Sequence, residues 1–189
     1  MSIQTWQETI ASMTSVGPTK NTFTTAATVL NPQALISLPP NYLYPGKQLR
    51  ITLVAGLSNV VTAQPTFSFQ VMMGAVIAWT SGAITTNATA HTLLPIKLVI
   101  DLRCDTVGSG TTAKFIGVGV LTGRQFLISG TGADGVTSDT TLMVPVTAPA
   151  VGTGFDASIA NVLDFFVACS VSNAGNGITV YEYYVEALN

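Results

Sequence analysis

The sequence predicts an all-β fold: a jelly-roll sandwich of about eight antiparallel strands in two facing sheets, with a short N-terminal helix or arm. Three observations predict it. Apolar and polar residues alternate at a spacing of two through most of the 189-residue chain. Clusters of Gly, Pro, Asn, Asp and Ser punctuate these stretches at short intervals. Helical spacing is confined to the first 22 residues, where Ile3, Trp6, Ile10 and Met13 recur every three or four positions and Thr5 and Glu8 stand at capping-box spacing. "SVGPTKN" then breaks the pattern with Gly17 and Pro18. The chain therefore divides into an arm, 1–22, and a sandwich domain, 23–189.

The strands come in order. "ALISLP" is a short strand, and "NYLYPGK" turns at Pro45 and Gly46. "QLRITLVAGLS" points Leu49, Ile51, Leu53 and Ala55 one way and Arg50 and Thr52 the other. "TFSFQVMMG" places Phe67, Phe69 and Val71 on one face, and "AVIAWTSG" is close behind. "LLPIKLVIDLRC" turns Leu98, Ile100, Leu102 and Cys104 inward, with Lys97, Asp101 and Arg103 outward. "AKFIGVGVLTG", "RQFLIS" and "TTLMVPV" come next. "NVLDFFVACSV" gives Leu163, Phe165, Val167, Cys169 and Val171 a common face, and "GITVYEYYVEAL" closes the series. No repeat of fixed period runs through the chain, which argues against a propeller or β-helix.

Two glycine-rich motifs test this reading. "RCDTVGSGTTAKF", 103–115, has the glycines of a phosphate cradle but not the helix that must come after one. The chain instead runs into "FIGVGVLTG", where Gly117 and Gly119 alternate with Ile116, Val118 and Val120. These are strand residues and poor helix formers, so the motif is the loop of a β-hairpin. "GTGADG", 130–135, fits a dinucleotide fingerprint through Gly130, Gly132 and Gly135, but again a strand-like segment comes after it, and it reads as a surface loop.

Composition narrows the function classes. Charged residues make up 8% of the chain and the net charge is −2, against roughly 25% charged in an ordinary soluble domain. The seven Lys and Arg are scattered, so no nucleic-acid surface is expected. Mean hydropathy is +0.49, yet no run approaches the roughly 18 apolar residues of a membrane helix, and no membrane partner is expected. The N-terminus lacks the basic start and apolar core of a secretory signal. Thr, Ser, Asn and Gly replace charge, a surface suited to packing against copies of itself or a larger body. Cys104 and Cys169 read as buried free thiols. With one histidine, His91, a four-ligand zinc site has too few donors.

The order "ISLPPNYLYPGKQLRITLVAGLS", "TFSFQVMMGAVIAWTSGAI", "LLPIKLVIDLRCDTVGSGTTAKFIGVGVLTG" and "NVLDFFVACSVSNAGNGITVYEYYVEAL" resembles the jelly-roll virion proteins of tailed bacteriophages, including head-decoration (cement) proteins. The resemblance implies a trimer-forming jelly roll on the outside of a capsid. Its expected partners are the major capsid protein and further copies of itself. The 1–22 arm, with Ile3, Trp6, Ile10 and Met13, is the expected attachment element, docking on the capsid or on a neighbouring subunit.

Catalytic residues are scarce. His91 lies in a loop or strand entry, and no serine sits in a G-x-S-x-G elbow. Asp101 and Asp105 are close in sequence, but Lys97 and Arg103 offer Asp101 ready partners. Asp134, Asp139 and Asp156 occupy loop positions typical of turns, with a calcium ion as the alternative use. The sequon at Asn87 carries no meaning without secretion. The sequence therefore predicts a non-enzymatic capsid decoration protein with no cofactor. The alternative is a receptor- or glycan-binding tail module, in which Tyr42, Tyr44 and Trp79 hold a sugar. A metal-dependent cupin is a third reading, undercut by the single histidine.

Overall fold

A computed structural model describes residues 7–124, 139–149 and 151–188. Thirteen strands run through them: β1 (Gln7–Ser12), β2 (Lys20–Asn21), β3 (Ala27–Thr28), β4 (Ile36–Leu38), β5 (Gln48–Asn59), β6 (Thr66–Met73), β7 (Val76–Thr80), β8 (Ile84–Thr85), β9 (His91–Thr106), β10 (Lys114–Arg124), β11 (Asp139–Val144), β12 (Asn161–Cys169) and β13 (Gly177–Leu188). Two 3-10 turns, Pro32–Ala34 and Val61–Ala63, are the helical elements among the described residues. The expected strand "RQFLIS" and the 130–135 loop lie outside them.

The strands form two antiparallel sheets packed as a sandwich. One has the order β1-β13-β5-β9-β10-β11, with β2 beside β13; the other runs β3-β12-β6-β7, with β4 also on β12 and β8 on β6. β5 lies beside β13 in the first sheet, and β6 beside β12 in the second. The β5–β6 and β12–β13 connections therefore cross between sheets side by side. Asn176, fully buried, ties them together: its Oδ1 accepts from Val60 N at 3.0 Å and its Nδ2 donates to Ala63 O at 2.8 Å and Val171 O at 3.3 Å. A buried amide with its donors and acceptor satisfied rigidifies where an unpaired one would destabilise.

The core matches the alternation read from the sequence. Leu49, Ile51, Leu53 and Ala55 of β5, Leu98, Ile100, Leu102 and Cys104 of β9, Phe67, Phe69 and Val71 of β6, and Leu163, Phe165, Val167 and Cys169 of β12 are all buried between the sheets. Each large apolar side chain so buried contributes about 1.5–3 kcal/mol. Val171 lies beyond the end of β12 and is half-buried. The β9–β10 pair is the hairpin expected around Gly108 and Gly110. Gly110 turns it at φ +68°, a conformation that side chains disfavour. In β10 the inward residues are Phe115, Gly117, Gly119 and Leu121, while Val118 is 38% exposed on the outer face. At Gly117 the space a side chain would need is taken by Leu102 and the Asp101 carbonyl, with Trp79 close behind.

The N-terminal helix expectation is corrected for the described residues. Residues 7–12 form strand β1, paired antiparallel with β13 from Gln7↔Leu188 to Ser12↔Tyr184. The chain then continues along the same neighbour: Met13 N donates to Tyr183 O, Gly17 N to Val180 O, and β2 pairs with Ile178. The helical spacing was deceptive for a physical reason. The register shifts between Thr9 and Ala11, so Ile10 is the extra residue of a β-bulge. Ile10, Ala11 and Met13 then all pack on the core of their own sandwich, and the step from Ile10 to Met13 imitates a helical turn. Ile3 and Trp6 lie outside the described residues.

Candidate functional site: an uncharged groove at the open side of the sandwich

Past Val144 the chain leaves the first sheet, crosses to the second and returns. Val146 N donates to Ser81 O at 3.0 Å, just beyond β7; Gly152 N then donates to Phe115 O at 2.8 Å on β10, and Ala113 and Phe155 exchange hydrogen bonds of 3.0 and 2.9 Å. The excursion closes the side where β7 and β10 leave the sandwich open. It does so main chain against main chain. A Cβ on Gly152 would stand 1.9 Å from Ala78 O, and one on Gly154 1.8 Å from Thr111 O, so both positions require glycine.

Between β7 and this excursion lies a groove of about 360 Å³. Ile77, Pro145 and Val151 form apolar walls, and Thr80, Thr147 and Thr153 contribute hydroxyls. Among the described residues lining it, none is charged. Ile77 and Val151 are exposed, whereas Trp79 is only 3% exposed and donates its indole N–H to Gly117 O at 3.1 Å. Chemically the described lining offers apolar surface and hydroxyl donors and acceptors, with no titratable base among the described residues. Sequence reading missed it because its walls come from 77–82 and 145–153, two segments with no motif in common. The signal present was the cluster Pro145, Gly152 and Gly154 after a strand.

Apart from Trp79, which lines the groove, the other candidates lie elsewhere. Trp79 does not join Tyr42 and Tyr44 in an exposed aromatic set, because its ring is spent on the core. Tyr42 and Tyr44 instead bracket Lys47, whose ammonium lies 4.7 Å from the Tyr42 ring centre and 5.4 Å from that of Tyr44. Lys47 is 7% exposed; burial lowers its pKa while Glu8 pulls it back up, and burial raises the Tyr42 phenol. The two rings attract the ammonium through cation–π contact.

His91 Nε2 lies 3.0 Å from Asn87 Oδ1, an amide rather than a carboxylate, and Asn87 also accepts from Thr89 N. Asp101 pairs with Arg50 through two hydrogen bonds of 2.7 and 3.1 Å, and Arg103 turns to Asp105 at 3.0 Å. This corrects the expected partners of Asp101. Arg50 stands directly across the strand pair, whereas Lys97 is four residues along the same strand, about 13 Å away. Asp156 closes a local turn, accepting from Ser158 N and Oγ, and these bonds with one from the Gly110 backbone hold its carboxyl below the usual range. Asp134 lies outside the described residues, and Asp139 opens β11. Among the described residues no three His, Cys, Asp or Glu side chains gather in a metal-binding group.

No protein-family model and no curated protein matches this sequence. Among solved structures, the chain is similar to the CBM2 module of the evolved Dit of Lactobacillus casei BL23 phage J-1. The match has 11% sequence identity and a TM-score of 0.41, and covers 99% of this chain and 98% of that one. The fold class rests on the two sheets described above.

Proposed function

We propose that this chain is a non-catalytic virion protein of a tailed phage, and that it serves as a receptor- or glycan-binding tail module through the groove between β7 and residues 145–153. One observation carries the reading: the described lining of the groove combines exposed apolar walls with threonine hydroxyls and no charged residue. A neutral sugar presents the complement, an apolar ring face edged by hydroxyls, and a small concave site with a few placed polar groups is the usual form of such a pocket. The sequence resemblance to virion proteins supports the phage setting. An array of neutral glycans tests it. At least one should bind, and Val151→Lys, at an exposed wall position, should weaken binding at least tenfold without lowering the melting temperature. An array without binders, or a Val151→Lys variant that binds as well as wild type, would overturn the reading.

Capsid decoration is the second reading, favoured by exposed Val118 and Met143 on the outer face of the first sheet. Those residues would press against the major capsid protein. Imaging virions with and without the protein separates head from tail.

A further inference from the structure

The edges of the two sheets differ in how they are guarded. β1 carries a bulge and Glu8. β3 and β4 are two and three residues long. β7 is overlaid by the 145–153 excursion. β11 carries such devices only at its two ends, Asp139 and the following Pro145, and its middle is unguarded. It ends its sheet, and no described residue pairs with its outer side. From Thr140 to Val144 it reads T-T-L-M-V, without charge, proline or glycine. Natural edge strands are usually blunted by charge, proline, bulges or shortness, because a row of free N–H and C=O groups is a template for another strand.

We propose that β11 pairs with β11 of a second copy, antiparallel about a two-fold axis at Leu142, joining the two first sheets into one. The occupant is a second copy because the strand is complementary to itself. Pairing about Leu142 sets Thr141 opposite Met143 of the other copy and Thr140 opposite Val144, so no like charges meet. Pro145 lacks an N–H and falls opposite Asp139, which limits the ladder to five residues. On the outer face Met143, 59% exposed, meets its own symmetry mate diagonally, within reach of long side chains. Val118 and Val120 continue the apolar surface inward across β10. Such an isologous contact closes at two copies, unlike the trimer that the sequence resemblance implied.

Sedimentation of the full chain at micromolar concentration tests this. Wild type should sediment at twice the 19.6 kDa chain mass. Met143→Lys and Met143→Glu should each sediment as monomers with unchanged circular dichroism, since Met143 is exposed, and mixing the two should restore a dimer. A wild-type monomer, a trimer, or a dimer that persists in both variants would overturn the proposal. So would two monomeric variants that fail to associate when mixed.

Discussion

The indole N–H of Trp79, on β7, reaches across the sandwich to the carbonyl oxygen of Gly117, on β10, at 3.1 Å. The space over Gly117 is taken chiefly by Leu102: a Cβ there would meet Leu102 Cδ2 at 2.4 Å and Asp101 O at 2.9 Å, with Trp79 Cδ1 next at 3.3 Å. Gly117→Ala should therefore cost about 1–3 kcal/mol through overpacking. Gly119→Ala, whose nearest contacts are 3.0 Å, should cost less. Chemical denaturation of both variants checks the order, and equal or reversed effects would count against this packing.

Asp164 sits on β12 with burial raising its carboxyl pKa, partly offset by hydrogen bonds from Thr28 Oγ1 and Phe165 N. A raised folded-state pKa means that the folded chain holds this proton more tightly than the unfolded one. The contribution is present below the ordinary carboxylate range and is lost as pH rises through the raised value. Asp164→Asn keeps an oxygen acceptor for Thr28 and removes the charge. Its stability relative to wild type should improve as pH rises from the ordinary aspartate range to neutrality. Unfolding free energies of both proteins across that window would refute this if their difference stays flat or reverses.

Cys104 and Cys169 are both buried and free. Burial, with Asp105 adding to it, pushes the Cys104 thiol up to about 11, and burial also raises Cys169. Since the thiolate is the nucleophile, neither should react with a thiol reagent at neutral pH in the native protein, and both should react once it is denatured. Stoichiometric labelling of the folded chain would place at least one thiol outside the core.

Much of this fold was legible in the chain. The two-residue alternation of Leu98, Ile100, Leu102 and Cys104, or of Leu163, Phe165 and Val167, states which face is buried because a strand has one inner and one outer side. The hairpin at Gly108 and Gly110 was legible from the strand residues just after it. Three things were not. The bulge at Ile10 mimics helical spacing, and only the partner strand reveals it. Trp79 looked available as a surface aromatic because its acceptor, Gly117, is 38 residues away. The groove depends on where the chain goes after Pro145, which is fixed by contacts with Ser81 and Phe115 that no local pattern encodes.

The closure made by residues 145–153 separates two jobs that are often entangled in one set of side chains. Carbonyls and amides of Ser81, Val146, Phe115 and Gly152 hold the segment down, while Pro145, Thr147, Val151 and Thr153 present their side chains to the groove. Replacing Thr147, Val151 or Thr153 changes the groove's surface and leaves these main-chain hydrogen bonds intact. The wall positions Thr147, Val151 and Thr153 could therefore be rewritten one residue at a time, with each intermediate still folded. Gly152 and Gly154 would be the fixed points of that drift.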